Sequence, residues 1–255
     1  MKNLKIIDKT KENILPVIFI LTIIIIWQFV VEFKNIPQYL IPTPLDIIQV
    51  FKEDFDTLKD HTLVTIYEGV VGFIFAVIFA FLLGIIMDFF KIVKRCLYPI
   101  LVISQTIPTI TIAPLLIIWF GFGLLPKVIV VTITCFFPIV INFVDGLEKI
   151  DKDYINLFKT MKANRWQIFS HLKLPMAMNS FFSGIKISVT YMIMAATIGE
   201  WLGGDKGLGV YMLRAKSAYA LDKVFASTII VVFISIMFVL IAEILKKIFV
   251  YWNEE

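Results

Sequence analysis

Glu68 is a carboxylate set about five residues inside the apolar run 63–87, and Glu200 closes a later apolar run beside Trp201. A charge at the centre of a membrane helix costs ~2.5–3.5 kcal/mol on insertion scales, and less near the interface. Each of these acids therefore needs a use or a partner. Either can be a pathway residue that meets solute, or a structural carboxylate that reaches interfacial water or pairs with an external lysine. Lys186, early in its run, is long enough to snorkel back to the nearer interface. A different pattern lies in the polar stretch 146–178. Tyr154, Leu157, Phe158 and Met161 are spaced i, i+3, i+4, i+7, which puts four apolar side chains on one helix face and leaves Ile155 off it. Such a helix lies on a membrane surface or docks in a partner's groove.

The other reactive residues build nothing. His61 and His171 are too far apart for an H-E-x-x-H site, and Cys96 and Cys135 form no C-x-x-C pair. No glycine precedes a lysine anywhere, so the chain lacks G-x-x-x-x-G-K-[ST] and cannot cradle nucleotide phosphates in a P-loop. We expect no catalytic residue, no metal, no cofactor in this chain and no nucleic-acid partner.

The elements that must hold these residues are membrane spans. Of 255 residues, 59% are hydrophobic and 17% charged, against about 45–50% apolar and about 25% charged in a soluble domain. Mean hydropathy is +0.89. One span needs ~20 apolar residues, and six runs stand out, near 14–31, 63–87, 96–119, 127–145, 179–201 and 224–250. The first is long for a signal-peptide core and no small-x-small cleavage site follows, so a retained span is expected. The whole chain reads as one all-α, polytopic transmembrane domain. Alternate connections carry 15 Lys and Arg against eight, which predicts both termini and the loop 146–178 on the cytoplasmic side. Trp119, Trp201 and Trp252 fall at expected span ends, where amphipathic rings favour the interface. Ile41-Pro42-Thr43-Pro44 predicts a stiff extended stretch before a short polar helix, and Val210–Ala220 a short external helix. Pro99, Pro108, Pro114 and Pro138 predict kinks in the third and fourth spans.

The loop 146–178 resembles the cytoplasmic "EAA" loop of bacterial ABC importer permeases, E-A-A-x-x-x-G followed after about nine residues by I-x-L-P. The matching stretch is Asn156-Leu157-Phe158-Lys159-Thr160-Met161-Lys162, closed by Leu172-Lys173-Leu174-Pro175. Asn156 stands for the family's glutamate, Leu157 and Phe158 for its alanines, and Lys162 for its glycine. With lysine there, Asn164 is expected to take the left-handed turn position instead. Further stretches match in order the nitrate, sulfonate and taurine permeases: Ile41–Pro44, Trp119-Phe120-Gly121-Phe122-Gly123 with Lys127, Phe137-Pro138, Asp145-Gly146, and Gly199–Gly204 with Gly207-Leu208-Gly209. Within that group Glu68, Ser104–Pro108 and Gly207–Ala215 are similar to permeases for thiamine pyrimidine precursors.

The resemblance implies a type I importer permease in the bacterial cell membrane. It implies a partner ATPase pair that binds ATP and Mg, a second permease subunit completing a homodimer, an extracellular solute-binding protein and surrounding lipid. ATPase coupling would run through Tyr154, Asn156, Leu157, Phe158, Met161, Lys162 and Ala163. Glu68 and Glu200 would lie on the substrate pathway. Two other classes compete. A secondary transporter usually shows inverted repeats and several midplane charges; an intramembrane enzyme needs a metal cluster, a nucleophile with its base, or a carboxylate pair.

Overall fold

A computed structural model describes the backbone of residues 2–250 and the side chains from residue 15 onward; the side chains of Lys2, Lys5, Lys9 and Lys11, and Trp252, lie outside those limits. Among the described residues the chain is helical throughout, with no strand. The helices are α1 (Lys2–Phe33), α2 (Pro44–Glu53), α3 (Phe55–Phe89), α4 (Lys91–Ser104), α5 (Thr109–Phe120), α6 (Leu124–Glu148), α7 (Lys152–Thr160), α8 (Arg165–Ile168), α9 (Leu174–Gly203), α10 (Leu208–Ser217) and α11 (Leu221–Phe249); a π-helical turn, Phe169–Lys173, joins α8 to α9. Among the described residues five stretches are long and apolar enough to cross a membrane, and α4 with α5 adds a sixth if the pair is one span.

The apolar run expected as a single span over 96–119 is broken. α4 and α5 meet at 105° across Gln105–Pro108. Pro108 has no N–H to give, and a residue before proline is steered away from α geometry, so Ile107 cannot carry the helix on. Pro99, Pro114 and Pro138 stay inside helices. α3 starts at Phe55, earlier than its apolar run, and the helix through α9 continues back to Arg165.

The contacts divide the chain into two units, one from residues up to 59 with 211–229, the other from 60–210 with residues from 230 on. In the first, Thr43 caps α2 reciprocally with Asp46, Gln38 bonds Asp222 at 3.3 Å, and Trp27 packs on Phe225 with ring centroids 5.6 Å apart. Asp54 accepts from Tyr211 Oη at 2.7 Å and from Lys223 Nζ at 2.6 Å. The lysine bond, above all, holds the Asp54 carboxyl below its usual 3.8. Burial first, then Asp54, pushes the Tyr211 hydroxyl above its usual 10.0.

The second unit is centred on α6 and α9, which pack along much of their length. Small residues let them approach: a Cβ on Gly184 would lie 2.8 Å from the Pro138 carbonyl oxygen. Without a hydrophobic force between helices in lipid, such close packing supplies the attraction. Cys135, Ile139, Val140 and Phe143 of α6 and Met192, Ile193 and Ala196 of α9 are fully buried. Phe143, Phe81 and Phe181 form a ring cluster. The Lys186 ammonium bonds Glu243 of α11 at 2.5 Å, with both side chains about half exposed.

Candidate functional site

Three α3 residues at i, i+4 and i+7, His61, Thr65 and Glu68, share one stripe of the helix and face the end of α9. Thr65, Glu68 and Glu200 are buried, at 0%, 3% and 1% exposure. Thr65 Oγ1 donates to Glu200 Oε1 at 2.6 Å, and the Gly209 amide donates to Glu200 Oε2 at 2.5 Å. The Leu208 amide donates to Thr65 Oγ1 at 2.8 Å. His61 Nδ1 lies 2.9 Å from the Gly207 amide nitrogen and 2.8 Å from its carbonyl oxygen. Every residue of Gly207-Leu208-Gly209 is thus tied to an α3 side chain or to Glu200.

The sequence permits this clamp because the loop carries glycine where nothing else fits. Gly207 has φ +123°, a conformation that side chains disfavour. A Cβ on it would fall on the Glu200 carboxylate.

Beside the clamp, Lys127 at the start of α6 donates to Glu68 Oε1 at 2.6 Å. Glu68 Oε2 is buried with no hydrogen-bond partner. Glu68 and Lys127 both act electrostatically on the Glu200 carboxylate. The structure therefore brings the two sequence-predicted acids into one cluster and pairs Glu68 with a lysine. Sequence reasoning gave His61, Thr65 and Lys127 no role here. The i, i+4, i+7 spacing of the α3 trio was the available signal, and Lys127 stood in the family-like stretch that begins Trp119-Phe120-Gly121-Phe122-Gly123. Among the described residues no group of three or more His, Cys, Asp or Glu side chains could hold a metal ion.

The second set of predicted residues lies on and after α7. Asp151 caps the helix start by accepting from the Asp153 amide at 3.0 Å. At its end the Ala163 amide bonds the Phe158 carbonyl at 3.0 Å and the Lys162 amide bonds the Lys159 carbonyl at 2.9 Å. That pair of hydrogen bonds closes a helix through a left-handed residue, and the residue is Lys162, at φ +58°. The expected shift of this turn to Asn164 does not occur. Asn164 is extended and caps α8 reciprocally with Gln167, so it is committed to starting the next helix, and the turn falls where the family's glycine stands.

The apolar face also differs from expectation. Ile155 and Phe158 turn inward and pack with Ala163 against Ile150, Ile168 and Leu172. Tyr154, Leu157 and Met161 remain 52%, 55% and 71% exposed, and Asn156 and Lys162 are exposed with them. Heptad-like spacing makes a stripe about 100° wide or more, and the body of the protein takes one edge of it. Below, Lys173 bonds Asp88 at 2.5 Å, Lys94 pairs with Glu148, and Phe89 packs on Trp166 and Phe169. Of these, the Asp88 and Phe89 contacts fix α8 and the π-helical turn to the end of α3, and the Lys94–Glu148 pair ties α4 to the end of α6.

The described residues form a polytopic helical protein with a short, largely exposed amphipathic helix between its long apolar helices. Residues 72–251 match the family described as binding-protein-dependent transport system inner membrane component, and the chain belongs to that family. It is 33% identical to the formylaminopyrimidine transport permease ThiX of Halalkalibacterium halodurans over 94% of this chain and 96% of the relative. It is 30% identical to the riboflavin transport system permease RibX of Chloroflexus aurantiacus over 94% and 90%. In fold it is similar to a chain of the inward-facing MetNI methionine ABC transporter, at 17% identity and a TM-score of 0.61 over 72% of this chain and 92% of that one. It is a multi-pass ABC importer permease for a small nutrient and not an enzyme; ATP hydrolysis belongs to a partner ATPase.

Proposed function

We propose that this permease passes a pyrimidine precursor of thiamine, handed over by an external binding protein, across the bacterial inner membrane. The observation that carries the reading is the 33% identity to the formylaminopyrimidine permease over nearly the full length of both chains. Sulfonate, taurine and nitrate are the alternative solutes. A second copy of the chain completes the pathway, and two ATPase subunits hold ATP and Mg. Tyr154, Leu157 and Met161 supply the exposed apolar edge that seats in an ATPase groove, with the exposed Asn156 beside it and Lys162 and Ala163 shaping the turn behind it; Phe158 supports it from within. Closure of the ATPase pair then moves the spans as rigid bodies between two states. Glu68 and Glu200 act beside the pathway, holding the segment after α9 in place. Both termini and the 146–178 loop face the cytoplasm.

The test is uptake of labelled formylaminopyrimidine by cells that depend on this importer, with taurine, nitrate and riboflavin as competitors. Competition by excess pyrimidine alone supports the reading; uptake of taurine or nitrate without pyrimidine overturns it. Orientation is checked with single cysteines in intact cells. One at Asp56 should react with an impermeant thiol reagent, and ones at Asn3 and Asn253 should not.

A further inference from the structure

The break between α4 and α5 opens a cavity of about 330 Å³, within the range of small-molecule sites. Non-helical backbone inside a span is tolerated where it is buried in protein or lines an aqueous cavity, and interrupted helices are where transporters commonly hold solute. The polar lining is Ser104, Gln105, Thr106, Thr109, Thr134 and Tyr191, and none of the lining residues is charged. Phe137 and Met194 add apolar surface.

The serine and threonine hydroxyl protons are already spent. Ser104 Oγ donates to the Ile100 carbonyl at 2.8 Å, Thr106 Oγ1 to the Ile103 carbonyl at 2.7 Å and Thr134 Oγ1 to the Val130 carbonyl at 2.8 Å. Thr109 Oγ1 lies 3.2 Å from Thr134 Oγ1. Since Thr134 has given its one proton to the backbone, Thr109 is the donor of that pair. A hydroxyl has one proton and two lone pairs, so these four residues offer a solute acceptors. An oxyanion placed among them would meet oxygen lone pairs and find no cation among the lining residues. A flat ring with amino hydrogens suits the lining: N–H groups for the threonine oxygens, ring nitrogens for the Gln105 amide and Tyr191 hydroxyl, and ring faces for Phe137 and Tyr191.

We infer that this cavity holds the solute within the membrane and selects uncharged, amino-substituted nitrogen heteroaromatics over oxyanions. The inference rests on the importer reading above for the direction and partners of transport. The test uses the complete importer in lipid nanodiscs and liposomes. Labelled formylaminopyrimidine is equilibrated with the permease–ATPase complex without binding protein, and uptake is measured with it. The complex should retain the pyrimidine and not taurine. Thr134→Val and Gln105→Leu should each weaken retention by roughly tenfold, the worth of one lost hydrogen bond, while Thr190→Val, outside the cavity, should not. Tyr191→Phe, which keeps the ring, replaces any variant that fails to run as a monodisperse complex, and weaker retention is expected from it too. If the parent takes up pyrimidine but retains none, or the cavity variants retain it as the parent does, the cavity is not the site and the substrate reading survives. If the parent takes up taurine or nitrate and no pyrimidine, the substrate reading and the selectivity both fail.

Discussion

Lys127 Nζ and Glu68 Oε1 are 2.6 Å apart, and the two side chains are 7% and 4% exposed. Removing one partner of a closed-off pair strands the other charge, which typically costs ~3–5 kcal/mol, whereas replacing both with apolar groups is often neutral. Lys127→Met should therefore lower the thermal stability of the purified permease sharply, and Lys127→Met with Glu68→Leu should recover most of it. A double variant no better than the single would mean that the pair is not an isolated charge couple.

Gly207→Ala tests the clamp on the loop after α9. The new Cβ would collide with the Glu200 carboxylate, and a positive-φ position stores about 1–3 kcal/mol when a side chain is forced on it. Amide exchange at residues 207–209 should rise well above that of the parent while α6 and α9 stay protected. Unchanged protection at those three amides would show that the clamp does not hold the loop.

Lys162 occupies a left-handed position where glycine relaxes the backbone at no steric cost. Lys162→Gly should leave stability level or raise it by up to about 1 kcal/mol, and Lys162→Val should lower it by about 1–2 kcal/mol. Melting of the detergent-solubilised permease reads both. A stabilising valine would rule out backbone strain as the local determinant.

Some of this architecture was readable from the sequence and some was not, for separable reasons. Spans such as α3 and α11 announce themselves because lipid demands an apolar surface on every side, and composition alone reports that. The break at Gln105–Pro108 does not, since apolar residues continue through it; only Pro108 hints at it, and proline inside a span, as at Pro138, often leaves the helix whole. Glu68 and Glu200 stood out as charges in apolar runs. Their meeting with Thr65 and Lys127 depends on how α3, α6 and α9 pack, which no local pattern encodes. In α7 the spacing indicated an amphipathic helix but placed Ile155 off the apolar face and could not say which edge the rest of the chain would cover; Ile155 and Phe158 are the residues that turn inward.

Asp54, Tyr211 and Lys223 make a pH-limited link. Asp54 titrates below its usual 3.8 when folded, so its contribution is complete above that value and fades as pH falls through the lowered one. Tyr211 titrates above its usual 10.0, so its contribution is complete below pH 10.0 and fades as pH rises through the raised value. The link's own contribution should be flat between these limits. Asp54→Asn should remove the acid loss and shrink the alkaline one, and Tyr211→Phe should remove only the alkaline loss, in melting curves taken across the range. An alkaline loss that persists at full size in Tyr211→Phe would place its origin elsewhere.

Leu157 and Phe158 are neighbours with opposite duties, and that separates coupling from folding. Leu157 is 55% exposed with no role in the local core, while Phe158 packs against Ile150, Ile168 and Leu172. If α7 seats in an ATPase groove, a carboxylate at its exposed edge must be desolvated on docking. Leu157→Asp should therefore weaken ATPase capture by more than tenfold, the equivalent of about 1.4 kcal/mol, without moving the permease's own melting temperature. Phe158→Ala removes core contacts instead, and large-to-small changes at such positions typically cost about 3–5 kcal/mol when fully buried and less here, where burial is partial. Its melting temperature should fall, with ATPase capture lost in proportion to the unfolded fraction. Pull-down of the ATPase from nanodiscs, read beside a melting curve for each variant, distinguishes the two. Undiminished capture and uptake with Leu157→Asp would leave α7 as a membrane-surface helix, because a carboxylate desolvated on docking without a partner must weaken the complex.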